Sequence, residues 1–299
     1  MPKVHELLQE AQSFSFELWP PRSPKQEELL AHTLDDLQRL DPTFVSITYG
    51  AAGSTRERTH DLVLDLQRRR RMLPVAHLCC AAHRRQELVD ILTRYRDEGV
   101  QNVLALRGDP PLDADGPLPE GDLRYAHELV ELAREIGDFS IAVAVHPDGH
   151  PDCGGDVPLD RRHTAEKLRR ADYAISQFFF RAESYLRLVE DLAALGIDKP
   201  VLPGIMPVDR IGQVTRMAQM SGTEFPSDLA ERLQRVADQP EEVRRIGVEV
   251  ASDLCQKLLA EGVPGLHFYT MNRSASTLEV YRNLGLGRPP STPTTDTEP

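Results

Sequence analysis

The chain has 299 residues, 40% of them hydrophobic, with a formal net charge of -12. That length holds one large or two small domains with an ample core, and Cys79, Cys80, Cys153 and Cys255 lack the spacing of a disulfide framework. The acidic balance argues against nucleic acid or an anionic membrane as partner, and the lack of a long apolar run or signal-peptide pattern makes a cytoplasmic location the expectation.

The N-terminal stretch MPKVHELLQEAQSF is polar and amphipathic. Short apolar, β-branched or aromatic runs then recur at 13–18, 44–50, 74–80, 102–108, 139–147, 173–180, 199–208 and 263–273, which gives eight candidate strands. Helical patterns at 27–40, 59–72, 85–98, 122–136 and 182–195 fall between them, bounded by Gly, Pro, Asn, Asp or Ser. The basic run 68–71 closes the second of these, where it suits a helix C-terminus and stays solvated. The longest interval precedes the last strand and holds three helical stretches, 211–220, 227–238 and 241–261.

Strand–helix alternation requires parallel pairing with right-handed crossovers. Eight such units in this length predict an α/β fold, a closed (β/α)8 TIM barrel over 1–287, as a single domain with an extra helix before the last strand. The Pro/Thr-rich segment 288–299 predicts a disordered tail.

Active sites of such barrels assemble at the carboxyl ends of the strands. The polar residues there are Glu17, Thr48, His77, Arg107 with Asp109, His146 with His150, Gln177, and Tyr269 with Asn272 and Arg273. Glu17 lies in an apolar run beside Trp19 and a Pro-Pro stop, so burial would raise its pKa and suit it to donate a proton near neutral pH. The alternative is a structural glutamate paired with Arg22. The Gln177 amide offers a donor and an acceptor to a heterocycle edge, or is spent on neighbouring backbone. Arg107, Lys167 and the nearby histidines together could supply the positive charge that a pyrophosphate-bearing cofactor needs on an acidic protein.

Other motifs say less. TYGAAGSTRERT matches neither the Walker pattern nor the dinucleotide fingerprint and reads as a loop feeding a helix capped by Ser54 or Thr55. HLCCAAH and HPDGHPDC lack zinc-site spacing, so no metal is expected.

Taken in order, SFELWPPR, FVSITYGAAGSTRERT, PVAHL, NVLALRGDPP, YAISQFFF, PVLPGIMPV and GLHFYTMNR resemble the methylenetetrahydrofolate reductases of the bacterial, flavin-containing type. The resemblance runs from about Ser13 to about Leu286. It implies a TIM barrel holding FAD at the strand ends and a ping-pong reaction. NADH or NADPH reduces the flavin and leaves, and 5,10-methylenetetrahydrofolate then takes hydride from flavin N5 to become 5-methyltetrahydrofolate, a methyl source for methionine synthesis.

By the same resemblance Glu17 is the general acid that opens the substrate's imidazolidine ring, and Asp109 lies by flavin and folate, where its charge favours the cationic iminium. Thr48, His77, Arg107, Gly108, Tyr125, Ala126, Ala144, His146, His150, Asp160 and Lys167 fall at FAD. Ser15, Gln177, Gln213, Tyr269 and Arg273 fall near the folate. A homo-oligomer, dimer or tetramer, is implied as well.

The chain departs from the family pattern at three places. His146 stands where an aromatic residue usually precedes the proline, the segment before Ala171 is one residue short, and Met217 replaces a phenylalanine that receives the nicotinamide in some members. Two alternatives remain open, a flavin-independent reductase passing hydride directly from nicotinamide to folate and a non-catalytic folate- or flavin-binding barrel.

Overall fold

A computed structural model describes residues 1–50, 56–108 and 121–286. Its strands are β1 (Ser13–Leu18), β2 (Phe44–Ile47), β3 (Pro74–Cys79), β4 (Asn102–Leu106), β5 (Ser140–Val145), β6 (Tyr173–Phe178), β7 (Val201–Ile205) and β8 (Gly265–Tyr269). All pair in parallel in chain order, and β8 returns to β1 to close the barrel. The TIM barrel predicted above is therefore the observed fold. The proposed caps Ser54 and Thr55, the catalytic candidate Asp109 and the segment 288–299 lie outside the described residues.

Period-2 alternation sorts each strand into two faces. In β1, Phe16 and Leu18 are buried in the layer between strands and helices, and Phe16 packs against the Tyr281 ring with centroids 5.6 Å apart. Ser13, Ser15 and Glu17 take the other face, toward the barrel axis. Helices α2 (Pro24–Gln38), α4 (Arg85–Asp97), α5 (Ala126–Ile136), α6 (Val157–Arg170), α7 (Ala182–Ala194) and α11 (Ala275–Asn283) belong to the outer ring. In the same ring α3 (Arg56–Asp65) continues into a wider π-type turn over Leu66–Arg70, and there Arg69 pairs with Asp65 and Arg70 with Asp35 on the surface.

Inside the barrel a separate apolar plug, Phe44, Val75, Leu104, Tyr173, Ile175 and Leu202, fills the lower layers. The short helix α1 (Val4–Glu10) closes the floor. Val4 joins that plug, and the α1 backbone donates to Asn102 Oδ1 at 2.8 Å and to Ser140 Oγ at 3.2 Å. Two buried polar side chains at strand N-termini thus satisfy the orphan N–H groups of a helix start. The long interval before β8 holds α8 (Ile211–Ser221), α9 (Ser227–Gln234) and α10 (Pro240–Ala260), which build their own apolar cluster around Phe178, Met206, Leu233 and Ile246. With floor and walls filled, the opening is at the carboxyl ends of the strands.

Candidate active site

Glu17, next to the last residue of β1, keeps a side chain only 12% exposed. Burial pushes its carboxyl up to about 7, partly opposed by the Trp19 indole, whose Nε1–H donates to Oε1 at 3.2 Å. Its partner is therefore Trp19 rather than Arg22. On β3, His77 Nε2 stands 3.8 Å from Glu17 Oε2, too long for a hydrogen bond. Burial holds His77 down at about 3, so the imidazole is neutral and the contact is no ion pair. His77 Nε2 has no hydrogen-bond partner among the described residues. On β8, the Tyr269 hydroxyl is held well above its ordinary value by burial and by the nearby Glu17 charge.

One layer below, His267 joins two serines across three strands. Its Nδ1 lies 2.8 Å from Ser15 Oγ and its Nε2 3.3 Å from Ser46 Oγ. All three residues are fully buried, and desolvation keeps this imidazole near 3 as well. Ser15, expected near the substrate, is therefore beneath Glu17 and bonded to His267.

Tyr269 crosses β7 to donate to the Ser176 carbonyl at 2.7 Å. An irregularity between Ile175 and Phe178 in the β6–β7 pairing accompanies this bond. Gln177, next in line, turns its Oε1 to the Phe178 N–H at 3.0 Å. Gln213, exposed on α8, donates to Met271 Sδ at 3.1 Å, and with Met217, Tyr269 and Arg273 it lines a cleft between α8 and the end of β8.

A second cluster occupies the rim from β4 to α6. Arg107 pairs with Asp152, and the His150 ring meets His146 edge-on with centroids 4.6 Å apart. Burial pushes His146 down to about 3 and lowers His150 too. Lys167 donates to the Ala144 carbonyl at 2.8 Å, and its ammonium is lowered by burial, with Asp160 opposing. Gly108 has φ +99, and a Cβ there would meet Cys79 Cβ at 3.2 Å.

Sequence reasoning missed Arg161. Its buried guanidinium bonds Asp160 at 2.9 Å and the carbonyls of His146 and Pro147 at 2.9 and 2.6 Å, so it locks the β5 loop onto α6. The available signal was LDRRHTAEK, a helix whose inner face is polar.

Of the other expected residues, Thr48 accepts the Thr59 hydroxyl on its carbonyl at 2.9 Å. Tyr125 precedes α5 with its ring 51% exposed and stacked on His127 at 5.7 Å, and Ala126 is buried behind it. The structure thus gathers Glu17, His77 and Tyr269 in one group and Arg107, His146, His150, Asp160 and Lys167 in another. The first presents a protonatable carboxyl beside a neutral imidazole, an arrangement able to transfer a proton. The second presents Arg107, paired with Asp152, and the buried Lys167, an arrangement able to receive an anionic ligand.

A sequence model of the family described as methylenetetrahydrofolate reductase matches residues 3–285. The chain is 36% identical over 280 residues to a 5,10-methylenetetrahydrofolate reductase of Pectobacterium carotovorum subsp. carotovorum, covering 93% of this chain and 92% of that protein. The same identity holds over 273 residues with the Escherichia coli (strain K12) protein of that name, covering 91% and 90%. Methylenetetrahydrofolate reductase (NADH) 1 of Arabidopsis thaliana is 35% identical over 297 residues, which is 95% of this chain and 50% of that one. Among solved structures, an uncharacterized protein from Clostridium thermocellum, described as binding two copies of 5-methyl-5,6,7,8-tetrahydrofolic acid, matches with TM-score 0.66 at 12% identity. It covers 94% of this chain and 96% of that chain, a likeness of fold alone.

Proposed function

Because the chain belongs to the methylenetetrahydrofolate reductase family and is an oxidoreductase, we propose that it reduces 5,10-methylenetetrahydrofolate to 5-methyltetrahydrofolate with NADH or NADPH through FAD. The observation that carries this reading is Glu17, a buried carboxyl poised at about 7 beside a neutral imidazole at the barrel mouth.

The residues present fit FAD. Arg107 and Lys167 offer cationic donors to its phosphates, and the half-exposed Tyr125 ring offers an apolar face. His77 Nε2 is a buried polar atom without a hydrogen-bond partner among the described residues. When bound, FAD supplies a two-electron carrier between nicotinamide and folate. Gly108 lets the backbone approach closely, while Arg161 fixes the carbonyls of the β5 loop.

Glu17 holds its proton to near-neutral pH and delivers it to a ring nitrogen of the substrate, opening the imidazolidine to a cationic iminium that accepts hydride on carbon. Asp109 supplies the negative charge that favours this cation. Gln177 reads the pterin edge, Gln213, Tyr269 and Arg273 complete the folate side, and Ser15 supports Glu17 from the layer below. Thr48, Ala126, Ala144, His146, His150 and Asp160 complete the cofactor side.

The test is the visible absorption spectrum of the freshly purified protein before and after anaerobic addition of NADH or NADPH. An oxidised-flavin spectrum that bleaches with one nucleotide is the expected result, and it names the donor. A colourless protein that stays inactive in folate reduction after FAD is added overturns the flavin route.

A further inference from the structure

Trp19 is the only tryptophan in the chain. Its indole, 40% exposed at the rim, donates to Glu17 Oε1. The other carboxyl oxygen, Oε2, is the one that faces His77 Nε2. The two oxygens of Glu17 are therefore not equivalent. A carboxyl that accepts an N–H bond at one oxygen does so best with its carbonyl oxygen, which leaves the hydroxyl proton on the other.

The indole is held in place from across the barrel seam. Asn272 takes the Trp19 main chain as a pair, its Oδ1 accepting from the N–H at 2.8 Å and its Nδ2 donating to the carbonyl at 2.7 Å. The Thr270 hydroxyl donates to the Glu17 carbonyl at 2.7 Å. Asn272 is itself fixed, with φ +57, an N–H bonded to Thr270 Oγ1 and a carbonyl that accepts from Thr33. The other titratable groups around Glu17 among the described residues are His77 on β3 and Tyr269 and His267 on β8. Both imidazoles are neutral, and the tyrosine hydroxyl is committed to Ser176. None of them makes a hydrogen bond to the carboxyl that would distinguish its oxygens.

We propose that Trp19 is a positioning residue for Glu17, its indole N–H assigning the transferable proton to Oε2, the oxygen that faces His77. This rests on Glu17 as the proton donor of the proposed reaction. It predicts that the indole senses the carboxyl's protonation whether or not the protein turns over.

The test uses the full-length, flavin-loaded protein. Emission of the single tryptophan is followed from pH 5 to 9 in the unaltered protein and in Glu17→Gln, an isostere that still accepts from the indole but cannot ionise. One protonation step near pH 7 that Glu17→Gln abolishes is expected, whereas a flat trace, or a step that survives in Glu17→Gln, overturns the proposal. In parallel, Trp19→Phe keeps a ring and removes the N–H. Its pH profile for folate reduction should keep its shape with the alkaline limb moved up by about one pH unit, the worth of one charge-assisted hydrogen bond. The limb's midpoint does not depend on the amount of active protein, so partial loss of fold leaves it readable, and an unmoved limb overturns the proposal. If the protein shows no folate reduction at all, the proposed function fails while the emission comparison still decides the Trp19–Glu17 relation.

Discussion

The Tyr269 hydroxyl reaches the Ser176 carbonyl across the one place on β7 where no side chain stands in the way, Gly204. A Cβ there would sit 2.2 Å from Ser176 O and 2.5 Å from Tyr269 Cε2. Both contacts are impossible without movement, and one of them is backbone. Gly204→Ala should destabilise the fold by about 1–3 kcal/mol, the range for overpacking a filled site. Because the ring that must move lines the cleft with Gln213 and Arg273, the KM for folate should rise while flavin absorbance stays. Urea denaturation and steady-state kinetics check the two parts, and an unchanged KM would remove Tyr269 from the folate side.

Gly108 makes the corresponding prediction for the other cluster. Its φ of +99 is left-handed territory, and a Cβ would also press Ala81 Cβ at 3.3 Å. Gly108→Ala should cost about 1–2 kcal/mol in backbone strain and shift the segment that carries Arg107. Flavin content per chain after purification is the measurement. A full complement of flavin would show that the strand end is free to adjust.

Arg161 tests how the cationic rim is held. The Arg161 and Asp160 side chains are 4% and 5% exposed, so removing the guanidinium leaves a buried carboxylate unpaired and two loop carbonyls without their donor. Arg161→Ala should destabilise the protein by about 3–5 kcal/mol by chemical denaturation. Arg161→Ala with Asp160→Asn should recover part of that loss, because the second change removes the stranded charge.

These residues also mark what was legible in the sequence. The strands could be read because branched and aromatic runs recur between turn residues. Their ends ran long, as at 44–50 against Phe44–Ile47, because Thr48 leaves the ladder while its N–H still bonds Leu18. Helix α6 escaped the apolar periodicity because its inner face carries Asp160, Arg161 and Thr164. The floor helix α1 was readable only as an amphipathic stretch, since its partners Asn102 and Ser140 lie far along the chain. Glu17 could be suspected from its apolar neighbours, but the Asn272 clamp on Trp19 spans 253 positions and has no local signal. Ser15 shows a related limit: a serine two residues from the acid faces the same side, but its hydroxyl partner His267 lies 252 positions away and leaves no local signal.

Glu17 supports a prediction about stability as well as rate. Its carboxyl titrates at about 7 in the folded protein against 4.5 as an ordinary glutamate, with burial as the main cause. Between those values the native state holds a proton that the unfolded chain has released, so native stability falls as pH rises. The stabilising protonated form is fully present below about 4.5 and is lost as pH passes through about 7. Above that the protein carries a buried carboxylate at a penalty of about 3 kcal/mol. Glu17→Gln removes the ionisation and keeps the shape. It should therefore be more stable than the unaltered protein at pH 8, by up to about 3 kcal/mol, with the advantage shrinking toward pH 5. The same substitution should nearly abolish folate reduction while NAD(P)H still reduces the flavin. Gain of alkaline stability with loss of only the folate half-reaction would tie the buried charge to the chemistry. Equal loss of both half-reactions would instead take the proton-donor role away from Glu17.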